Sequence, residues 1–144
     1  MIYDELLRSG RIREEKVSRL SVRQALERAE RDLQVAARLI AEDLDWAFAI
    51  SYNAVLQASR AYMFAQGYRP ASAEGHKNTF AFMRIALGKE HEELITYFDR
   101  MRVKRNQATY DVAGLITETE AQNLLEKARD FVAWIHNKLA QHIE

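Results

Sequence analysis

The chain has 144 residues, 48% of them hydrophobic, enough for one domain with its own core. Lysine plus arginine and aspartate plus glutamate number 21 each, so no global positive field draws it to nucleic acid, and such a role must rest on a local patch such as Lys104 and its neighbouring arginines. Cysteine is absent, which excludes disulfides, thiolate zinc sites and thiol catalysis.

Residues 1–17 carry charges too early and too often for a secretory signal. They are expected to form a separate segment, either a short helix around Tyr3–Arg8 or a mobile arm, ahead of a bundle over residues 18–144. The first long helix is predicted from Val22 to Glu42. Val22, Leu26, Ala29, Leu33, Ala36 and Ile40 repeat at alternating spacings of four and three, giving one apolar seam. Ser21 and Gln24 have the spacing of a capping box at its start. Asp45 is the expected N-cap of the second helix, Trp46 to Gln66, whose apolar residues cover nearly every face. That makes it the buried central element, with Trp46, Phe48, Tyr52, Tyr62 and Phe64 read as core or as a dimer surface.

Gly67 suits a left-handed helix end, and Tyr68-Arg69-Pro70 forbids continuation, so residues 67–75 read as a loop. A shorter helix follows, His76 to Leu87, with Phe80, Met83 and Leu87 inward and Gly88 closing it. The fourth runs from about Lys89 to Tyr110, with Glu90, Glu92 and Glu93 favourable at its N-terminus. Thr117 and Glu120 form a capping box for the last helix, where Leu124, Ala128, Phe131, Ile135 and Leu139 share one face. One proline, five glycines and no hairpin signal agree: the fold is all-α, an up-and-down bundle of four to five helices. No segment reaches the length of an apolar membrane span, and the chain is expected to be cytoplasmic without membrane contact.

The fourth helix holds the most informative stretch. At about 100° per residue, Arg102, Arg105, Asn106, Thr109 and Tyr110 fall on one side, beside the apolar stripe Leu94, Phe98, Met101 and Ala108. Two guanidinium groups, an amide, a hydroxyl and a phenol can grip a phosphate or nucleotide. A solvated helix edge, paired with Asp99, Asp111 or glutamates of a neighbouring helix, accounts for the same residues. Neither a histidine nor a carboxylate in this stretch is well placed as a general base. The four histidines, His76, His91, His136 and His142, include no pair at metal-ligating helical spacing, so no metal or cofactor is expected. There is no serine elbow and no glycine-rich phosphate loop.

The run from Tyr52 to Pro70, followed by Gly75-His76-Lys77 and by Arg105-Asn106 on a later helix, resembles the HEPN family over about residues 20–140. The resemblance implies a helical bundle, commonly a homodimer, often paired with a minimal nucleotidyltransferase in prokaryotic toxin–antitoxin systems. Active members cut RNA without metal, using an arginine and a histidine separated by four to six intervening residues. Here Arg105 matches the arginine and Asn106 the polar position after it, but Tyr110, Asp111 and Val112 occupy the histidine positions. Starting from Arg102 meets Gln107, Ala108 and Thr109 instead. A phenol with pKa about 10 is a poor base unless strongly perturbed. The resemblance also implies that Tyr110, displaced onto the histidine position, is a site a partner nucleotidyltransferase modifies.

Three readings follow. The first is a HEPN-like dimer that binds a nucleotide or RNA phosphate through Arg102, Arg105, Asn106, Thr109 and Tyr110, or docks a nucleotidyltransferase. The second is a metal-independent ribonuclease toxin with Arg105 and Tyr110 as the catalytic candidates, Tyr110 or Asp111 replacing the missing histidine. The third is a structural dimer without ligand.

Overall fold

The computed structural model describes residues 2–143; Met1 and Glu144, the outer limits of the two expected segments, lie outside it. It is a helical bundle, 77% helix, with seven helices and one small two-stranded ribbon among the described residues. The order is α1 (Asp4–Arg8), β1 (Ile12–Glu14), α2 (Arg19–Leu39), α3 (Leu44–Gln66), β2 (Tyr68–Pro70), α4 (Gly75–Leu87), α5 (Glu92–Asn106), α6 (Glu118–Lys138) and α7 (Ala140–Ile143). A 3-10 turn, Lys89–His91, leads into α5, and a π-helical turn, Gln107–Asp111, follows it.

The central element is α3. Ala47, Phe48, Ala54, Val55, Ala58, Ala61 and Met63 are fully buried, because α2, α6, α4 and α5 all pack against it. Small residues at 54, 58 and 61 let neighbouring backbones approach, while Phe48, Phe80, Phe98 and Leu124 fill the space between. Val22, Leu26, Ala29 and Ala36 of α2 are buried, as are Leu124, Ala128, Phe131 and Ile135 of α6. A polar pin crosses the α2–α3 seam, where Asn53 Nδ2 donates to Asp32 Oδ2 at 2.6 Å.

Several boundaries differ from the sequence reading, each for a local hydrogen-bonding reason. The N-cap of α2 is Ser18, whose Oγ accepts the Ser21 amide at 3.1 Å; the Ser21–Gln24 box does not form, and the helix stops at Leu39. The cap of α3 is Asp43, accepting from the Trp46 amide at 3.1 Å. Asp45 is freed to tie down the link before α6, accepting from the amides of Gly114 at 2.7 Å and Ile116 at 3.3 Å. Trp46, expected as core or as a dimer surface, is 57% exposed in the first turn of α3. Gly67 ends α3 at φ 91° in the left-handed region, and the Thr117–Glu120 capping box forms in full, both as expected.

The predicted 67–75 loop contains a strand. Tyr68–Pro70 pairs antiparallel with Ile12–Glu14, Arg13 facing Arg69, and Glu15 N–H donates to Gly67 O at 2.9 Å. Too short for alternation to signal, the ribbon is held by side chains. In the N-terminal segment Asp4–Arg8 is helical, and Tyr3, Leu6 and Ile12 are buried. Tyr3 stacks on Phe82 at 4.4 Å between ring centroids and meets Tyr68 edge-on at 5.0 Å.

Candidate functional site

The long fourth helix foreseen from Lys89 to Tyr110 is continuous in α form only from Glu92 to Asn106. Beyond it the chain widens into the π turn, closed by Val112 N–H donating to Gln107 O at 2.9 Å. The wider turn retards every residue after Asn106 relative to α-helical register. Arg102, Arg105, Asn106, Tyr110 and Asp111 therefore line one cleft of about 450 Å³. Thr109 is turned away from them, towards a separate depression beside Asp43, Asp45 and Trp46.

The opposite wall of the cleft is the start of α4, with Glu74, Gly75, His76 and Lys77. This wall is built by hydrogen bonding from a buried side chain. Asn78, 3% exposed, donates to Ala73 O at 2.9 Å and accepts from Arg11 Nε at 2.9 Å, joining the α4 entry to the ribbon. Thr79 Oγ1 donates to Gly75 O at 2.7 Å. Glu74 sits at φ 55°, uncommon for a side chain with a Cβ, and that turn delivers Gly75 and His76 to the cleft.

His76 is the residue that sequence reasoning left among the unassigned histidines. Its Nδ1 lies 3.0 Å from the hydroxyl of Tyr52, which rises from α3 and is 1% exposed. Tyr52 has no other hydrogen-bond partner among the described residues, and a buried hydroxyl proton without an acceptor is costly, so the phenol donates to Nδ1. In that tautomer Nε2 carries the ring proton and faces away from Tyr52. Burial pushes the His76 pKa down to about 4, helped by Arg60, Arg105 and Arg102, so the imidazole is neutral near pH 7. The phenol is held protonated: burial raises its pKa far above the ordinary value, overriding the opposing pull of Arg102 and Arg105.

The arginines differ in how far they are satisfied. Arg102 Nε donates to Asp99 Oδ1 at 2.9 Å, the helix-edge pairing expected of a solvated face. Lys104 is taken up by Glu120 of α6. Arg105 has no carboxylate partner among the described residues; its Nη1 donates to Asn106 Oδ1 at 3.0 Å and its guanidinium stands 5.8 Å over the Tyr52 ring. Its Nε is buried with no hydrogen-bond partner. Tyr110, in the motif position of the missing histidine, is 75% exposed.

A helical bundle with an aromatic-rich central helix, a Gly-His re-entry and an Arg-Asn pair across one cleft has a clear counterpart. The HEPN domain model matches residues 22–139. The chain belongs to the HEPN domain family. HEPN domains are nucleotide-binding and ribonuclease-like modules, and they commonly dimerise. No curated protein and no solved structure matches this HEPN chain significantly. No helix among its described residues is long and apolar enough to cross a membrane.

Two of the cleft's contributors escaped the sequence reading as site residues. Tyr52 was read as core and His76 as a helix-starting histidine, because their partnership spans 24 positions and two helices. The only sequence signal for His76 was the Gly75-His76-Lys77 re-entry itself.

Proposed function

We propose that this HEPN domain is a binding module for a phosphate-bearing ligand, a nucleotide or an RNA phosphate, held between α4 and α5. Arg105 carries the reading. It is a partly buried guanidinium with an unpartnered Nε, set in a cleft beside Arg102, Lys77 and a neutral imidazole presenting an N–H. Cations kept without a counter-carboxylate inside a cleft are stabilised when an anion arrives, and phosphate matches a guanidinium in shape and charge. Asn106 and Tyr110 border the same space and would orient the sugar or base; Thr109 lies outside it. Glu74 and Asp111 also line the cleft, and their carboxylates oppose an incoming anion, so the guanidinium contacts must outweigh them.

A second reading, a metal-independent ribonuclease of a toxin–antitoxin pair, is favoured by one observation. His76 brings to the cleft the imidazole that α5 lacks. Against it stands the hydrogen bond from Tyr52, which leaves Nε2 as a donor rather than a proton acceptor, and the low pKa, which makes the ring a weak base. Association with a second copy of the chain or with a nucleotidyltransferase belongs to the same proposal. The exposed Trp46, Val103 and Val112 supply apolar surface near the π turn for either partner.

The test is titration of purified protein with adenosine monophosphate and a short RNA, alongside RNA incubation in EDTA, for the parent, Arg105→Gln, Tyr110→Phe and His76→Asn. Binding that weakens about tenfold or more in Arg105→Gln, with no cleavage, is the expected result. Cleavage by the parent that disappears in His76→Asn would establish the ribonuclease reading instead. Absence of any binding, with a dimer in solution, would leave the structural dimer.

A further inference from the structure

On the other side of His76 lies a second cleft, of about 400 Å³, between α3, the ribbon and the entry to α4. It shares Gly75 and His76 with the first, so the imidazole forms the partition between the two. Arg13, Arg60 and Arg69 line it, and none of its lining residues is acidic. Glu15, outside the lining, pairs with Arg69 and stands 3.4 Å from Arg13 Nε. Arg69 is further braced by the Phe64 ring, 4.6 Å from its guanidinium carbon.

Among the described residues no carboxylate pairs with Arg60. Its Nε is buried without a hydrogen-bond partner, and a Cβ built on Gly75 would lie 3.9 Å from its Nη2, so the guanidinium rests against the backbone where α4 begins. Burial and the neighbouring Arg69 both disfavour its charge, with Tyr52 opposing them. In a protein of zero formal net charge, three arginines around an acid-free cleft are a concentrated, incompletely compensated positive site.

We infer that this arginine cleft is a second phosphate site, and that one ligand carrying two phosphoryl groups spans both clefts across His76. The inference rests on the proposed function for the first cleft. The shared chemistry is two phosphoryl groups on one molecule separated by a sugar, as in a nucleoside bisphosphate; adjacent phosphoryl groups, as in pyrophosphate, are too close together to straddle the imidazole. A guanidinium pair takes each end, and the neutral imidazole between them adds no charge to be neutralised. Glu15 limits the affinity, because an incoming phosphate competes with it for Arg69 and Arg13.

Calorimetric titration of the full chain with adenosine 5′-monophosphate, pyrophosphate and adenosine 3′,5′-bisphosphate tests this. Adenosine 3′,5′-bisphosphate should bind the parent about tenfold or more tightly than the monophosphate, the size of one added charge-assisted contact, and pyrophosphate should show no such gain. Arg60→Gln and Arg13→Gln should erase that advantage and leave monophosphate affinity unchanged; Arg13 is 63% exposed, so its variant keeps the fold. Glu15→Gln should enlarge the advantage, an effect opposite in sign that mere structural damage would not produce. A parent that binds the monophosphate through Arg105 but gains nothing from a second phosphate overturns this inference alone. Two-phosphate binding that depends on Arg60 but ignores Arg105 overturns the spanning ligand and the first-cleft reading together. No binding of any probe overturns both.

Discussion

Four buried polar side-chain atoms among the described residues lack a hydrogen-bond partner, and they fall in two contrasting places. Ser51 Oγ and Ser59 Oγ sit in the packed seam of α3, both fully buried. Arg60 Nε and Arg105 Nε belong to side chains lining the two clefts that share His76. A serine hydroxyl is small and neutral, and leaving it unpaired is a modest penalty that close helix packing can offset. A guanidinium is a permanent charge, and leaving part of it unpaired beside two more cations is a far larger one. The seam gains its stability from burial whatever its hydroxyls do. On the function proposed above, the clefts gain stability when an anion enters, and their unmet hydrogen bonds are the capacity that would bind it.

Phe48→Ala should break the seam. Its side chain is fully buried, and truncation leaves a cavity, so unfolding by urea should show a loss of about 3–5 kcal/mol, enough to unfold a marginal domain of this size. Arg105→Gln should do the reverse: little change in urea midpoint, with nucleotide affinity reduced about tenfold to a hundredfold. A large stability loss in Arg105→Gln would erase the distinction between the regions, because it would make Arg105 a packing residue.

His76 sharpens the comparison through pH. Its folded pKa of about 4 lies below the ordinary 6.5, so between those values the unfolded chain binds the proton first. Stability from keeping the ring neutral is therefore complete above about pH 6.5 and lost progressively as pH falls towards 4, with no further loss below. His76→Asn removes this dependence. Urea midpoints for parent and variant should be compared at pH 7 and pH 4.5, and the parent should lose more of its midpoint over that interval. Equal losses would mean the imidazole is freely solvated and the partition between the clefts is open.

The two regions were also unequally legible in the sequence. The seam writes itself as periodicity: Val22, Leu26 and Ala29 on α2, and Leu124, Ala128, Phe131 and Ile135 on α6, are all buried where the spacing put them. Capping chemistry was readable where one partner was available, as at Thr117–Glu120, and misread at Asp43 and Asp45, where two acids compete and tertiary contacts with Gly114 and Ile116 decide. The α5 half of the first cleft was visible as Arg102, Arg105, Asn106 and Tyr110 on one helical face. Thr109 fell off that face because a π turn leaves no mark in apolar spacing. The α4 half, with His76 above Tyr52, and the whole arginine cleft depend on which helices meet, a fact that one-dimensional patterns do not carry.

The smallest expected effect tests the seam's side of the contrast. Ser51→Ala and Ser59→Ala each delete a hydroxyl with no partner and keep the small volume that α3 requires against its neighbours. Alanine is also the better helix former, by about 0.5 kcal/mol. Each variant should thus be neutral or more stable by up to about 1 kcal/mol, read as a rise in urea midpoint with unchanged slope. Nucleotide affinity should not move, since neither hydroxyl lines a cleft. Destabilisation by Ser59→Ala would show that its hydroxyl is bonded in solution, for example back to the preceding turn of α3. In that case the unpaired polar atoms would be confined to the clefts, and the separation between a satisfied core and an unsatisfied cationic site would be sharper still.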